Sequence, residues 1–361
     1  MRIALVVPGN YYSEGAPKYV PSGTTVYYHG LAKALQKAGH DVVLLCFGYS
    51  RKDSGNLEYI CDGVYVCQFP WLASDLDRAM SIHEWLLSNA VDVVESTQCH
   101  ALLLIEQLVG GTPTVVRMTT DFFENVAAGD TDFGKTRRVE WSKHLLSCHC
   151  IARSSQVLCS THRQMEFVSA WTDRFQLVAP GVDASDIPED IERQSLISIV
   201  VGDSKVPRKG GAMVDEIVKH LPTTYEVAVI GGSKEHPLDR CELFLQYAKS
   251  TFVVVPERSS SFGYSFLEPM ACGTPVICFD QGDKYRNAWP MWNLGPWGSG
   301  ESIGAIPKLF QALESEDYGE LSQRVRDFAL NFLWEKVIDS HMAAYSRAIA
   351  HSLLSGKTRG W

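Results

Sequence analysis

Short β-branched runs alternate with helix-period segments along almost the whole chain, and that alternation leaves few architectures open. Ile3–Val7, Asp41–Cys46, Val64–Gln68, Val91–Glu95 and Thr114–Met118 read as strands. Between them the spacing predicts helices over Tyr27–Ala38, Leu76–Asn89 and Ala101–Val109. A long helix over Arg138–Ala152, a strand at Val157–Cys159, a helix at Gln164–Ala170 and a strand at Gln176–Val178 follow. Near-continuous apolar strands separated by helices belong to parallel sheets covered on both faces. The first helix ends at Gly39, a residue suited to the left-handed conformation that closes helices.

The pattern then breaks and restarts. Ala184–Gln194 is acidic, carries Pro188 and has no periodicity, as expected of a linker. A second series begins at Leu196–Val201. It continues through a helix at Ala212–His220, a strand at Glu226–Ile230, a helix at Leu238–Ala248 and a strand at Phe252–Val255. Phe266–Ala271 reads as a helix leading through Gly273 into a strand at Pro275–Phe279, and residues 280–302 read as a long loop. Helices over Ile306–Glu314, Tyr318–Asn331 and Trp334–Leu353 complete the chain. At 361 residues two hydrophobic cores are expected. The boundaries drawn are 1–188, 189–333 and a terminal helix over 334–361.

Composition bounds the function. Forty-two acidic against 33 basic residues give a net charge of -9, which disfavours nucleic acid as the main partner. The opening apolar run stops at Pro8, too short for a secretory core, and no later stretch reaches membrane-spanning length. Among ten cysteines, Cys46, Cys159 and Cys278 fall in or beside strand-like runs, where they read as small buried hydrophobes of a reducing compartment. His144, Cys148, His149 and Cys150 share one stretch without a second ligand pair, so a half-buried helix is expected there rather than zinc. A cytoplasmic address follows from these readings. Trp289, Trp292 and Trp297 in one loop suit the packing of that loop better than a sugar-binding face.

The most specific segment runs from Pro256-Glu257-Arg258 through Phe262-Gly263-Tyr264-Ser265 and Glu268 to Ala271-Cys272-Gly273-Thr274-Pro275-Val276. It resembles the signature of retaining GT-B glycosyltransferases, the group 1 and family 4-like enzymes. Four more features agree: Ser22-Gly23 ahead of Leu31-Ala32, Ala179-Pro180-Gly181-Val182-Asp183, the spacing from Gly202 to Lys209-Gly210, and Phe332-Leu333-Trp334-Glu335. The resemblance implies an α/β fold of two Rossmann-like doubly wound domains facing a cleft, with the terminal helix crossing back to the first domain. It also implies transfer of a sugar, with retention, from a nucleotide-diphosphate sugar to an acceptor hydroxyl. No metal or other cofactor is then expected.

The residues supply a physical logic for that chemistry. A departing diphosphate gains negative charge, and fixed donors and cations stabilise it best. Lys209 is the candidate catalytic cation and Arg208 a second donor-site cation. Ser260, Ser261, Phe262, Gly263, Tyr264 and Ser265 precede or open a helix whose amide groups suit phosphate. Gly23 allows close approach from the first domain. Glu268 is expected to accept hydrogen bonds from a ribose diol, as the resemblance implies. Thr119 and Asp121 are the acceptor-side candidates, Asp121 serving equally well as a helix cap.

Several positions depart from the family pattern. Ser260 stands where a sugar-contacting Glu is usual, with Glu257 three residues upstream at the strand end. Asp203 stands where an Arg commonly follows Gly202, and Thr119 replaces a His. The stretch from Ile230 to Phe252 is shorter than usual. These departures keep a second reading open, that of a catalytically degenerate partner subunit of an active transferase. Peripheral membrane contact and oligomeric state are left open by the residues.

Overall fold

The computed structural model describes residues 1–9, 22–48, 56–119, 138–189, 191–203, 209–232, 238–258, 263–279, 289–295 and 299–355. The chain divides into two compact units, the first drawn from Met1–Thr119, Thr136–Gly181 and Trp334–Trp361, the second from Val182–Leu333.

In the first unit the strands are β1 (Arg2–Val6), β2 (Asp41–Gly48), β3 (Leu57–Cys61), β4 (Val64–Pro70), β5 (Val93–Thr97), β6 (Thr114–Arg117), β7 (Gln156–Cys159) and β8 (Phe175–Leu177). They form one sheet in the order β3-β4-β2-β1-β5-β6-β7-β8. Every pairing is parallel except β3 with β4. The order reverses between β1 and β5, and such a switch point is where doubly wound sheets bind ligands, beyond the strand carboxyl ends. Helices α1 (Gly23–Lys37), α2 (Asp75–Ser88), α3 (Leu104–Val109), α4 (Arg138–Arg153) and α5 (His162–Ser169) connect the strands. Ser22, Ser74 and Thr161 cap α1, α2 and α5 by accepting from backbone N–H groups in the first turn. The strands bury their apolar residues on a core that includes Val6, Leu45, Val94, Val116 and Val157.

In the second unit β9 (Gln194–Asp203), β10 (Glu226–Gly232), β11 (Ser250–Val255), β12 (Val276–Cys278) and β13 (Trp292–Asn293) form a parallel sheet in the order β10-β9-β11-β12-β13. Its switch point lies between β9 and β11. The described helices are α6 (Val214–His220), α7 (Arg240–Lys249), α8 (Tyr264–Ala271), α9 (Gly300–Gly304), α10 (Ile306–Leu313) and α11 (Tyr318–Ala329). Ile197, Ile199, Phe252, Val254, Ile277 and Phe310 sit in the core. Arg193, in the acidic stretch before β9, donates to the carbonyls of Ala248, Ser250 and Cys272, satisfying backbone oxygens at the ends of α7 and α8.

The last helix, α12 (Trp334–Leu354), belongs to the first unit. Trp334 fills space that only glycine leaves: a Cβ on Gly30 would lie 2.2 Å from its Nε1, and one on Gly181 2.4 Å from its Cδ2. Within the second unit Val182 N donates to Phe332 O at 2.8 Å.

The structure departs from the sequence expectations at four places. Strand β3 is additional to them, its signal being the Asp62-Gly63 pair; both residues have positive φ in the hairpin turn. The helix expected over Ala101–Val109 is interrupted, because His100 and Ala101 take positive φ (67° and 47°) and the α-helix starts only at Leu104. The helix expected from Phe266 begins at Tyr264, since Gly263 makes the left-handed turn just before it. The loop over 280–302 contains strand β13 and the start of α9. Trp289 of that segment packs on Phe328 and Phe332, with ring centroids 5.3 and 5.8 Å away. Cys46, Cys159 and Cys278 are buried, and none of the ten cysteines, all among the described residues, is in a disulfide.

Candidate active site

The switch point of the second sheet gathers four pieces of backbone. β9 ends near Gly202, β11 ends at Pro256-Glu257, the turn at Lys209-Gly210 lies beside them, and α8 opens at Gly263. Two glycines make the assembly compact. A Cβ on Gly202 would come within 2.8 Å of Lys209 Cδ, so the lysine stem crosses bare backbone. Gly210 has φ +74°, and a Cβ there would lie 2.2 Å from the carbonyl oxygen of Pro256. The turn carrying Lys209 is thereby pressed onto the end of β11.

Lys209 Nζ bonds Glu257 Oε1, and Glu257 Oε2 accepts from Ser265 Oγ at 3.3 Å. Glu257 is 4% exposed, whereas a quarter of the Lys209 side chain (26%) remains accessible. One carboxylate therefore ties the lysine to the first turn of α8. Gly263 precedes that turn at φ 96° and, lacking a side chain, offers no side-chain cap to the eight-residue helix.

Glu268, a turn further along α8, is buried at 4% exposure. Its Oε1 accepts from Arg240 Nη1 at 3.0 Å, and Arg240 Nε reaches Asp186 Oδ2 at 2.6 Å. Burial pushes the Glu268 carboxyl up, and Arg240 beside it draws it back toward ionisation. Burial opposes the charge on Arg240, but Glu268 and Asp186 more than restore it, so its pKa is raised. Glu268 Oε2 has no protein hydrogen-bond partner among the described residues.

The expected site residues thus divide. Lys209, Gly263 and Ser265 come together around Glu257, with Tyr264 as the first residue of α8. Glu268 sits on the same helix in its own ion-pair chain with Arg240 and Asp186. Gly23 and Thr119 belong to the first unit. Gly23 is the first residue of α1, and Thr119 is fixed beyond β6 by Gln98 Oε1, which accepts from its backbone N at 2.9 Å and its Oγ1 at 3.2 Å. Asp121, Arg208, Ser260, Ser261 and Phe262 lie outside the described residues, as does the side chain of Asp203. Two residues that the sequence reading left without a role are central here. Glu257 was passed over for standing three residues from the usual Glu position. Arg240 had no signal beyond being a cation in the first turn of a helix.

At the carboxyl ends of the first sheet a second polar cluster forms. Asp75 Oδ1 accepts from Arg78 Nη2 and from His100 Nδ1, the latter at 3.0 Å, while Arg78 Nη1 donates to Pro8 O at 3.1 Å. Arg78 also lies over the Trp71 ring, 5.0 Å from its centroid.

Comparison with known proteins bears on the family and the fold. Residues 21–186 match Glycosyltransferase Family 4, and residues 184–329 match Glycosyl transferases group 1. The chain belongs to the GT-B glycosyltransferases, with the family 4 domain followed by the group 1 domain. Curated relatives include the D-inositol 3-phosphate glycosyltransferase of Gordonia bronchialis, 33% identical over 28% of this chain and 23% of its own length. The protein of that description from Rhodococcus erythropolis is 33% identical over 51% of this chain and 42% of its own length. The matched part therefore spans between about a quarter and two fifths of these relatives. Among solved structures, sucrose-phosphate synthase from Thermosynechococcus elongatus superposes with a TM-score of 0.76 at 13% identity, covering 97% of this chain and 99% of the other. A trehalose-6-phosphate structure from E. coli bound with UDP-2-fluoro glucose gives 0.67 at 10% identity, covering 96% and 99%. At these identities the likeness is one of fold.

Proposed function

We propose that this protein transfers a sugar from a nucleotide-diphosphate sugar to an acceptor hydroxyl with retention of anomeric configuration. The observation that carries the reading is the convergence of Lys209 and the opening of α8 on the switch point of the second sheet. A partly accessible ammonium beside helix N–H groups is suited to a diphosphate. A fold relative carrying a UDP-sugar analogue supports the donor class. The bond between the anomeric carbon and the β-phosphate oxygen breaks as the acceptor oxygen bonds that carbon from the same face. The acceptor proton passes to the leaving phosphate oxygen, releasing a nucleoside diphosphate. Lys209 and the α8 amides stabilise the charge that develops on the leaving group. Glu268 Oε2, its partner oxygen held by Arg240, is set to accept from the ribose hydroxyls. In this scheme the protein supplies no metal and no general-base carboxylate at Thr119.

The test is turnover by Lys209→Ala and Glu268→Ala with a panel of UDP-, GDP-, ADP- and dTDP-sugars, read as released nucleoside diphosphate. Losing one preorganised donor to the leaving group costs about 10²–10³ in kcat, so Lys209→Ala is expected to fall in that range. Glu268→Ala is expected to raise the donor KM. Full activity in both variants sinks the reading. Absence of any nucleotide-induced thermal stabilisation in the wild-type protein, where about 2.7 kcal/mol is expected at a hundredfold Kd, would point instead to a degenerate partner subunit.

A further inference from the structure

We infer that Glu257 is the positioning residue of the donor site: it fixes the ammonium of Lys209 against the opening turn of α8 so that the lysine meets the leaving phosphate already oriented. The inference rests on the transfer reading above and names a residue that occupies no family site position.

Three observations carry it. The Lys209 stem has little freedom, since Gly202 below it has no side chain and a Cβ there would overlap Cδ at 2.8 Å. Its far end bonds Glu257 Oε1, the one protein partner that the ammonium has among the described residues. An ammonium has three N–H groups, so two remain for ligand oxygens. Glu257 is itself buried, at 4% exposure, and accepts from Ser265 Oγ at 3.3 Å. Its backbone is held as well: the Pro256 carbonyl just before it abuts Gly210, the residue that follows Lys209. The cation and the helix amides, which come from segments 48 residues and more apart in the chain, are thus referenced to one carboxylate.

A flexible four-carbon stem without such an anchor would sample many rotamers, and a displacement of about 1 Å at a reacting centre costs about a hundredfold. The effect of losing Glu257 should appear in kcat, where charge develops on the leaving oxygen, more than in donor KM. A buried carboxylate beside a diphosphate also adds a like charge, which a residue serving only to attract the donor would not do. This is a second reason to expect little gain in donor binding from Glu257.

The experiment is a double-mutant cycle on the full chain, with the best sugar nucleotide of the panel as donor. Glu257→Gln keeps the shape and removes the charge, Glu257→Asp keeps the charge on a shorter arm, and Lys209→Ala is combined with Glu257→Gln. Glu257→Gln is expected to lower kcat about tenfold to a hundredfold, with donor KM changed less than about threefold. Glu257→Asp should recover a large part of that loss. The double variant should be no slower than Lys209→Ala alone, because Glu257 acts through the lysine. Losses that multiply, a wild-type kcat in Glu257→Gln, or a loss confined to KM would each overturn the inference. Since Glu257 is buried, thermal melting is measured on every variant, and a folded Glu257→Gln protein with wild-type turnover is decisive against it. A wild-type rate in Lys209→Ala together with Glu268→Ala would sink the transfer reading itself, whereas an inactive Lys209→Ala beside an unaffected Glu257→Gln sinks only this inference.

Discussion

Two clusters in this molecule are built from the same ingredients, a carboxylate, a cation and hydroxyls, and they differ in how far their hydrogen bonds are closed. In the first unit Glu95 is fully buried between β1 and β6, accepting from Tyr27 Oη at 2.8 Å and from Tyr345 Oη of α12 at 2.6 Å. Arg117 of β6 has a partner for every donor. Nε and Nη2 reach Tyr27 Oη, Nη1 reaches Val178 O and Ser160 Oγ, and Nη2 also reaches His341 Nε2. In the second unit, among the described residues, Lys209 has one protein partner for three donors, and Glu268 has one oxygen engaged and one without a hydrogen bond. A network whose carboxylate and guanidinium are bonded throughout, away from water, specifies packing. One that leaves donors open at a switch point is equipped to hold a ligand. Having charges in common is therefore poor evidence for function; unfinished hydrogen bonding at the right end of the sheet is much better evidence.

The largest effect that tests this contrast is on stability. Glu95→Ala leaves Arg117 buried beside an unfilled space, and breaking a buried ion pair by removing one partner costs about 3–5 kcal/mol. The expected result is a urea midpoint lowered accordingly, with nucleoside diphosphate affinity unchanged in whatever protein remains folded. Lys209→Ala should show the reverse, a melting temperature near wild type and a turnover defect. If Glu95→Ala melts like the wild type, the first network is not what docks α12, and the contrast fails.

How much of this was legible in the sequence follows from the range of each interaction. The alternation of strands and helices is local, and so are the motif from Phe262 to Val276 and the Lys209-Gly210 pair; these gave the fold and half of the candidate site. Glu257 with Lys209 and Arg240 with Glu268 are pairings across 48 and 28 residues, which no local pattern encodes. Glu95 did carry a signal, a carboxylate inside the buried run Val93-Val94-Glu95-Ser96-Thr97, because an unpaired charge in a strand that is buried on both faces would be prohibitive. The sequence could say that a partner was required but not that it would come from Arg117 and two tyrosines. His341 stands 224 residues from Arg117, and only the folded chain brings them to 2.9 Å.

A smaller effect in the same network is its response to acid. His341 Nδ1 donates to Val337 O at 3.1 Å and its Nε2 accepts from Arg117, which requires the neutral ring. Burial, and Arg117 after it, hold the imidazole down to about 3. The unfolded chain takes up this proton below about pH 6.5, while the folded protein does so only near 3. Between those values the unfolded state binds more protons, so stability falls as pH falls, by about 1.4 kcal/mol per unit. Glu95 contributes with the opposite sign, its carboxyl being raised by burial. The wild-type curve alone would mix the two. The difference between wild type and His341→Gln isolates the imidazole: it should be level above about pH 7 and change by about 2 kcal/mol on reaching pH 5. A level difference down to pH 5 would mean that His341 is charged in the folded protein and that the hydrogen-bond assignment at Arg117 is wrong.

The smallest expected effect concerns the same helix at its surface. Lys37 at the end of α1 pairs with Glu335 at the start of α12, Nζ to Oε1 at 3.0 Å, with 74% and 48% of the side chains exposed. The pair looks like a clasp between the two helices, and its charges suit the helix ends on which they sit. Exposed ion pairs nevertheless contribute only about 0–1 kcal/mol, since water screens them and both long side chains lose rotamer freedom. Lys37→Ala should therefore lower the unfolding free energy from urea titration by less than about 0.5 kcal/mol, an effect that vanishes at high ionic strength. A loss approaching that of Glu95→Ala would show that α12 is held from outside by surface charge. The closed network around Arg117 would then be filling space beneath a helix that is fastened elsewhere.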